Sequence, residues 1–182
     1  MPDATAAGPS STPDLKVIRS QEVVAAIADI DPEFILQIPS STLTHVLEFC
    51  EKRKGSRYFP VAREEEGVGI ATGLALASRR VLFIMQDNGL GNSLTAFGTL
   101  PLPYHIPLLI LVSRRGGLGE YNSMIHTFCE RVEGITTAAG LRYFDLDGRT
   151  PIDQWRSTIV KANEFSLITH RPVFVFMNLM GG

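Results

Sequence analysis

The chain has 182 residues, 45% of them hydrophobic and 20% charged, which is the composition of an ordinary globular protein with one hydrophobic core. Its 17 lysines and arginines nearly balance its 19 acidic residues, and the formal net charge of −2 argues against nucleic acid or an anionic membrane as a partner. No apolar run approaches the roughly 20 residues that a transmembrane helix needs. We therefore expect a cytoplasmic protein in which Cys50 and Cys129 are buried free thiols.

The chain begins with a segment, residues 1–13, whose Pro, Ser, Ala and Gly content predicts a disordered tail. A single domain is expected over residues 14–182. Within it, short apolar runs typical of buried strands alternate with stretches of helical period. Strands are predicted at 34–38, 57–62, 81–85, 108–113, 142–146 and 173–177.

Helices are predicted between these strands. Ser20 is expected to cap the first helix, and Ser40 or Ser41 the second. The remaining helices are expected at 67–77, 92–100, within 123–139, and from Thr150-Pro151 onward. Pro60 cannot donate a hydrogen bond to a strand ladder, so the strand at 57–62 is expected at a sheet edge. The alternation predicts an α/β fold, with a doubly wound, mostly parallel sheet of about six strands and helices on both faces.

Four loops are candidate ligand sites, because ligands bind at the carboxyl ends of the strands in such sheets. They span residues 38–42, 62–66, 86–93 and 113–120. In the third loop, Gln86, Asn88 and Asn92 flank a Gly-x-Gly turn that begins at Gly89, where amide and backbone N–H groups are able to face a cofactor or substrate. The alternative is an ordinary strand-to-helix turn capped by Asp87 or Asn88.

Three consecutive glutamates, Glu64 to Glu66, stand before a helix with three glycines in two turns. Each glycine inside a helix costs about 1 kcal/mol relative to alanine, so another interaction has to offset these residues. Small side chains allow a second backbone or a flat ring to approach closely, and the helix dipole stabilises a carboxylate at the helix start. Glu65 and Glu66 are interpreted as solvated residues that only stabilise this start.

The pattern E-x-x-x-x-G-I-A-x-G-x-A-x-A-S-R, from Glu64 to Arg79, resembles the pyrimidine-binding domain of thiamine-diphosphate-dependent decarboxylases. The spacing of nine residues from Glu64 to Gly73 matches the cofactor glutamate of that family, whereas Glu65 and Glu66 are out of register. The segments FIMQDNGLGNSLTAF (83–97) and IPLLILVSRRG (106–116) are similar to its sulfopyruvate and phosphonopyruvate decarboxylase branch. The resemblance covers nearly the whole chain after the tail.

The resemblance implies that the cofactor is thiamine diphosphate and that Glu64 is the catalytic carboxylate, hydrogen-bonded to N1′ of its aminopyrimidine. The family's other domain uses GDG and a downstream Asn to hold Mg²⁺ on the diphosphate, and this chain has no GDG. Asp147-Gly148 with Asn178 is the nearest pattern, and it is rejected as a metal site. The resemblance thus implies a separate beta subunit that holds Mg²⁺ and shares the cofactor, with self-association also expected through the glycine-rich helix.

Substrate contacts are expected from two loops. Ser40 and Ser41 lie where the family has a loop that touches the substrate, although a helix cap is an equally open role. Arg114 and Arg115 are suited to bidentate pairing with a carboxylate, sulfonate or phosphonate, with solvated surface as the alternative. His126 is the one histidine in a loop-to-helix region near such a site, and its role is left open.

The expected activity is that of a thiamine-diphosphate-dependent carboxy-lyase subunit that converts sulfopyruvate, an anionic 2-oxo acid, to sulfoacetaldehyde and CO2. Phosphonopyruvate is the alternative substrate, because a sulfonate and a phosphonate demand similar cationic recognition. Residues 116–134 lack the acidic-Gln-Pro and Gln-His signatures of these decarboxylases, which leaves the substrate open. A non-catalytic binding module that kept the fold is the second functional class.

Overall fold

The computed structural model describes residues 14–117, 120 and 122–180. The tail predicted at 1–13 lies outside these residues. All strands belong to one sheet in the order β2-β1-β3-β4-β6-β5, and every neighbouring pair is parallel. The strands are β1 (Phe34–Gln37), β2 (Arg57–Pro60), β3 (Val81–Gln86), β4 (Leu108–Ser113), β5 (Arg142–Leu146) and β6 (Pro172–Met177). The doubly wound parallel sheet predicted from the sequence is therefore confirmed, with β2 at an edge.

Helices connect the strands and cover both faces of the sheet. They are α1 (Leu15–Ile30), α2 (Thr44–Lys52), α3 (Glu64–Leu76), α4 (Gly89–Thr99), α5 (Ser123–Cys129), α6 (Val132–Ala138) and α7 (Trp155–Thr169). Single turns of 3₁₀ helix at Ser41–Leu43 and Ile152–Gln154 precede α2 and α7.

The core has two halves, one on each face, because side chains alternate across the sheet. In β3, Leu82 and Ile84 pack with α1, α2 and α7, whereas Phe83 and Met85 pack with α3, α4 and α6. The interior strands β4 and β6 are buried along their whole length. Continuous apolar runs are what a parallel sheet covered on both faces requires.

Two predicted helix starts are wrong. The first helix begins at Leu15, and the side chain of Asp14 accepts a hydrogen bond from the backbone N–H of Lys16. Ser20 lies inside this helix and is buried. In the second case the chain first makes the 3₁₀ turn, and the side chain of Ser40 makes no capping hydrogen bond.

The other boundaries differ by smaller amounts. The three glutamates lie inside the first turn of α3 rather than before it, and α4 begins at Gly89 instead of residue 92. The helix expected within 123–139 is two short helices, α5 and α6. Gly67 of α3 is needed for packing, because a Cβ at this position would lie 2.4 Å from the ring of Phe83. Gly67 therefore allows α3 to pack closely against the sheet.

Both cysteines are buried free thiols, as predicted. Across the part of the chain that the structure describes, no helix has both the length and the apolar character needed to cross a membrane.

Candidate functional site

The carboxyl ends of β1, β2 and β3 come together at a point where the strand order reverses. The chain passes from β1 to β2 on one side and then to β3 on the other side of β1. Loops diverge at such a switch point and leave a crevice for a ligand. A hydrogen bond from Ser40 Oγ to Gln86 Oε1, 3.2 Å long, joins the loop that follows β1 to the last residue of β3.

Glu64 is the first residue of α3 and is 8% exposed. Its neighbours Glu65 and Glu66 are progressively more exposed, and Glu65 pairs with Arg63 at 2.6 Å. The buried carboxylate of Glu64 instead accepts a hydrogen bond from Asn92 Nδ2 at Oε2, with a length of 2.9 Å. The start of α3 adds the favourable field of the helix dipole. Burial thus separates Glu64 from the other two glutamates.

Gly89 is packed directly against the Glu64 side chain. A Cβ on Gly89 would lie 2.7 Å from both Cγ and Oε1 of Glu64 and 2.9 Å from Cδ. Real Cβ atoms essentially never come this close to another heavy atom. The glycine therefore creates the space in which the carboxylate lies, a requirement that helix propensity alone does not reveal.

Asn88 and Asp87 occupy the turn between β3 and α4. Asn88 stands at the N-cap position of α4, but its side chain makes no capping hydrogen bond, and its buried Oδ1 has no partner in the described structure. Asp87 is fully buried and accepts hydrogen bonds from the backbone N–H of Arg115, at 2.8 Å, and from Cys129 Sγ, at 3.0 Å. Burial raises the pKa of the Asp87 carboxyl, against the effect of these donors. The turn is therefore not closed by an ordinary capping side chain.

The two arginines after β4 are paired with carboxylates instead of extending into solvent. Arg114 Nη1 contacts Glu133 at 2.6 Å and Asp145 at 3.2 Å. The side chain of Arg115 is 8% exposed and forms a bidentate pair with Glu120, at 2.5 and 2.9 Å. This pairing lowers the pKa of Glu120 to about 2. The alternative of a solvated arginine pair is therefore wrong.

Arg115 also links the paired cluster to the switch-point loops, because its Nη1 lies 3.4 Å from Gln86 Oε1. Gln86 is thus shared by Ser40 and Arg115. A further chain of hydroxyls runs from Ser40 through Thr42 to the buried Ser113, with both distances 2.9 Å. Polar side chains from the ends of β3 and β4 and from the segments that follow β1 and β4 thus form one network.

A cavity of about 580 Å³ opens at the carboxyl ends of β4, β5 and β6, beside this network. Lys16, Ser41, Arg114 and Arg115 contribute to its lining, together with five acidic side chains: Glu120, Glu130, Glu133, Asp145 and Asp147. Sequence reasoning missed Lys16, whose Nζ donates to the backbone O of Ser41 at 2.8 Å, because nothing in the sequence near residue 16 signals a loop that far away.

Glu120 was also missed, although its opposite charge five residues after Arg115 was a usable signal. His126 lies in α5 with Nε2 3.0 Å from the backbone O of Glu120, which raises the pKa of His126. It therefore contacts the loop that carries the partner of Arg115. Among the described residues, no group of three His, Cys, Asp or Glu side chains is arranged to hold a metal ion, and Asp147 pairs with Arg149 at 2.6 Å.

Comparison with known proteins gives a consistent picture. The family described as "Thiamine pyrophosphate enzyme, N-terminal TPP binding domain" matches residues 20–132. The chain is 34% identical over 161 residues to the sulfopyruvate decarboxylase subunit alpha of Methanococcus maripaludis, which covers 88% of this chain and 95% of that protein. It is 27% identical over 118 residues to phosphonopyruvate decarboxylase of Streptomyces viridochromogenes, covering 65% of this chain and 30% of that protein.

One solved structure shares the fold at low sequence identity. It is a 2-oxoglutarate:ferredoxin oxidoreductase from Magnetococcus marinus, with a TM-score of 0.67 and 14% identity. The match covers 90% of this chain and 29% of that chain. At this identity the likeness concerns the architecture alone.

Proposed function

The chain belongs to the thiamine pyrophosphate enzymes, as a form of their N-terminal TPP binding domain, and from this premise we propose that it is the pyrimidine-binding subunit of a 2-oxo-acid decarboxylase acting on sulfopyruvate. The observation that carries the proposal is the 34% identity to a sulfopyruvate decarboxylase subunit alpha over 95% of that subunit. Because the match covers nearly the whole of that relative, the simplest interpretation is that the two chains have the same role as a subunit.

The residues at the switch point suit an aminopyrimidine. Such a ring offers nitrogen acceptors and an amino donor, and the site presents the Glu64 carboxylate and the unpartnered Oδ1 of Asn88 within one turn of two neighbouring helix starts. Gly89 and Asn92 hold the Glu64 side chain in place. We propose Glu64, Gln86, Asn88, Gly89 and Asn92 as the pyrimidine site.

Thiamine diphosphate, when bound, supplies the carbon centre that adds to the 2-oxo group and holds the electrons released with CO2. The proposed task of Glu64 is to share a proton with the N1′ nitrogen of the pyrimidine, which is general acid–base catalysis by a carboxyl group. Low exposure serves this task, because it keeps water from competing for the same oxygen atoms. No such role is proposed for the neighbouring glutamates, because Glu66 is exposed and Glu65 pairs with Arg63 through Oε1, although Glu65 Oε2 is buried without a partner among the described residues.

Substrate recognition is proposed for the loops after β1 and β4. The Ser40 hydroxyl already donates a hydrogen bond to Gln86. Ser41 lines the same cavity as Arg114 and Arg115. Both arginines are committed to carboxylates, so an anionic substrate has to share or displace those partners. Arg115 already holds the Glu120 carboxylate through two nitrogens, and the same bidentate geometry makes Arg115 the better anchor for the substrate carboxylate.

We also propose that a separate beta subunit holds Mg²⁺ and the diphosphate group, in keeping with the relative's designation as subunit alpha. The proposed contact is the outer face of α3. There Gly69 and Gly73 are exposed, and Ile70 and Leu76 leave 43% and 67% of their surfaces uncovered. A second copy of this chain is an alternative occupant of the same face.

The test compares decarboxylation of sulfopyruvate, phosphonopyruvate and pyruvate by this chain with and without a beta subunit that carries GDG. We expect turnover of sulfopyruvate only in the assembled protein. Preference for phosphonopyruvate would support the second candidate, which the more distant Streptomyces relative favours. In calorimetry with Mg²⁺, micromolar binding of thiamine diphosphate to this chain alone would refute the shared site.

The role of Glu64 is tested against its two neighbours in the assembled protein at saturating cofactor. Glu64→Gln is expected to lower turnover by roughly 10²-fold or more, the usual contribution of a positioned acid–base group. Glu65→Gln and Glu66→Gln should each lower it by well under tenfold, because exposed charges near a helix start contribute about 0.3–1 kcal/mol. Equal losses at all three positions would show that the acidic block acts as a general field or in folding.

A further inference from the structure

Asn92 lies three residues after Gly89 on α4, and this spacing puts the two residues on one face of the helix, next to the start of α3. Gly89 meets the Glu64 side chain with its bare Cα, and Asn92 reaches the same side chain through Nδ2, which is 2.9 Å from Oε2. One face of α4 is therefore shaped around a single carboxylate.

The hydrogen bond from Asn92 is the one that the Glu64 carboxylate makes within residues 14–117, 120 and 122–180. A glutamate side chain has three rotatable bonds, and fixing it takes about 1.5–2 kcal/mol of conformational entropy. Close packing against Gly89 keeps the Glu64 side chain from moving toward α4. This contact does not favour one of the remaining carboxylate orientations over another. The bond from Asn92 fixes Oε2 and leaves Oε1 without a hydrogen bond from the described residues.

We propose that Asn92 is a positioning residue that sets the orientation of the Glu64 carboxylate through Oε2, so that Oε1 is the atom presented to the pyrimidine ring. The inference rests on the proposed function of Glu64. It gives Asn92 a specific contact with the Glu64 carboxylate, whereas the sequence alone predicts only that Asn92 lies near the cofactor.

The chemistry of the amide suits this task. An amide donates a hydrogen bond without carrying charge, so it orients the carboxylate without adding a competing ion pair. A carboxylate at position 92 would be repelled by Glu64 at this distance, and an aliphatic side chain would provide no donor. Asn92→Leu and Asn92→Asp therefore remove the same hydrogen bond by different means.

The first experiment measures turnover in the assembled enzyme as a double-mutant cycle. Asn92→Leu is expected to lower kcat about tenfold, the effect of losing one hydrogen bond to a charged group. In the Glu64→Gln background the same substitution should change kcat by less than about twofold, because the group it acts through is already altered. KM for the substrate should stay within about twofold in each case.

Asn163→Leu is the matched control, since Asn163 lies in α7 on the opposite face of the sheet and is only partly buried. It should leave kcat unchanged in both backgrounds. Asn92→Asp should be more harmful than Asn92→Leu at neutral pH, and its defect should shrink as the pH falls, because a protonated carboxyl regains a donor. A purely structural role for Asn92 would produce no such pH dependence.

The second experiment does not require activity. In the isolated ¹⁵N-labelled chain, the side-chain amide signal of Asn92 is expected to shift in Glu64→Ala and to stay in place in Glu65→Ala. An unmoved signal in Glu64→Ala, or a tenfold loss from Asn92→Leu that persists in the Glu64→Gln background, would overturn the positioning role. A silent Glu64→Gln together with a shifted amide signal would instead overturn the proposed function, since the contact would exist without its catalytic use.

Discussion

Replacing Gly89 with alanine tests whether the position of the Glu64 carboxylate matters more than its presence. The new Cβ would lie 2.7 Å from Cγ and Oε1 of Glu64, whereas ordinary contacts begin at 3.4 Å. The glutamate side chain has to retreat by about 0.7 Å, and a retreat directed away from α4 would lengthen the 2.9 Å bond from Asn92 to at most about 3.6 Å, the limit of hydrogen bonding. A misplacement approaching 1 Å lowers catalysis by up to about 10²-fold, or about 2.7 kcal/mol of barrier.

The fold should tolerate this change. The atoms that must move belong to a flexible side chain, and alanine has up to about 1 kcal/mol better helix propensity than glycine, which offsets part of the crowding. We expect the free energy of unfolding to change by less than about 1 kcal/mol while kcat falls roughly 30- to 100-fold.

The assays are urea denaturation of the chain and turnover of the assembled enzyme. Gly134→Ala is the control, because Gly134 lies within α6 and a Cβ there meets nothing within 4 Å. It should raise the free energy of unfolding by up to about 1 kcal/mol without changing turnover. If Gly89→Ala keeps turnover within about twofold of the original, the argument that Glu64 needs a fixed position is refuted.

Two other substitutions test the assembly surface and the paired arginine. Gly69→Leu should leave the monomer folded, since a Cβ at Gly69 meets nothing within 4 Å, but should block assembly measured by light scattering, because the added bulk lies on the proposed contact face. Unchanged assembly would show that the subunit contact does not involve this face of α3. Glu120 has its pKa lowered to about 2 by Arg115, so its contribution to stability is complete above its ordinary value of 4.5 and is lost as the pH falls toward 2. Denaturation midpoints should therefore drop less over this range in Glu120→Gln than in the exposed control Glu48→Gln, and equal slopes would contradict the pairing.

The sheet was predictable because its signals are local. Buried parallel strands need continuous apolar runs, and LLILVS at 108–113 is one that no amphipathic helix or loop would contain. Pro60 identified the edge strand through its missing N–H. The proposed role of Glu64 rested on the family resemblance, through the spacing to Gly73, and the low exposure of Glu64 supports treating it differently from its two neighbours.

The rest depended on partners far away in the sequence. Arg114 is paired with Glu133 and Asp145, which belong to other elements and contact it only after folding. No local signal favoured Asp14 over Ser20 as the cap of the first helix, because both residue types are good caps. In the structure α1 begins at Leu15 with Asp14 as its cap, and Ser20 lies inside the helix, where it is buried.

The two buried thiols give the folded chain a practical property. Burial raises the pKa of Cys50 to about 12 and also raises that of Cys129, whose Sγ is held by the Asp87 carboxylate. The thiolate is the form that attacks alkylating reagents, and neither residue forms it appreciably at neutral pH. A single cysteine introduced at an exposed position such as Ser157 would then be the one reactive thiol of the native protein. Fluorescent or spin labels can therefore report subunit association without first removing the natural cysteines.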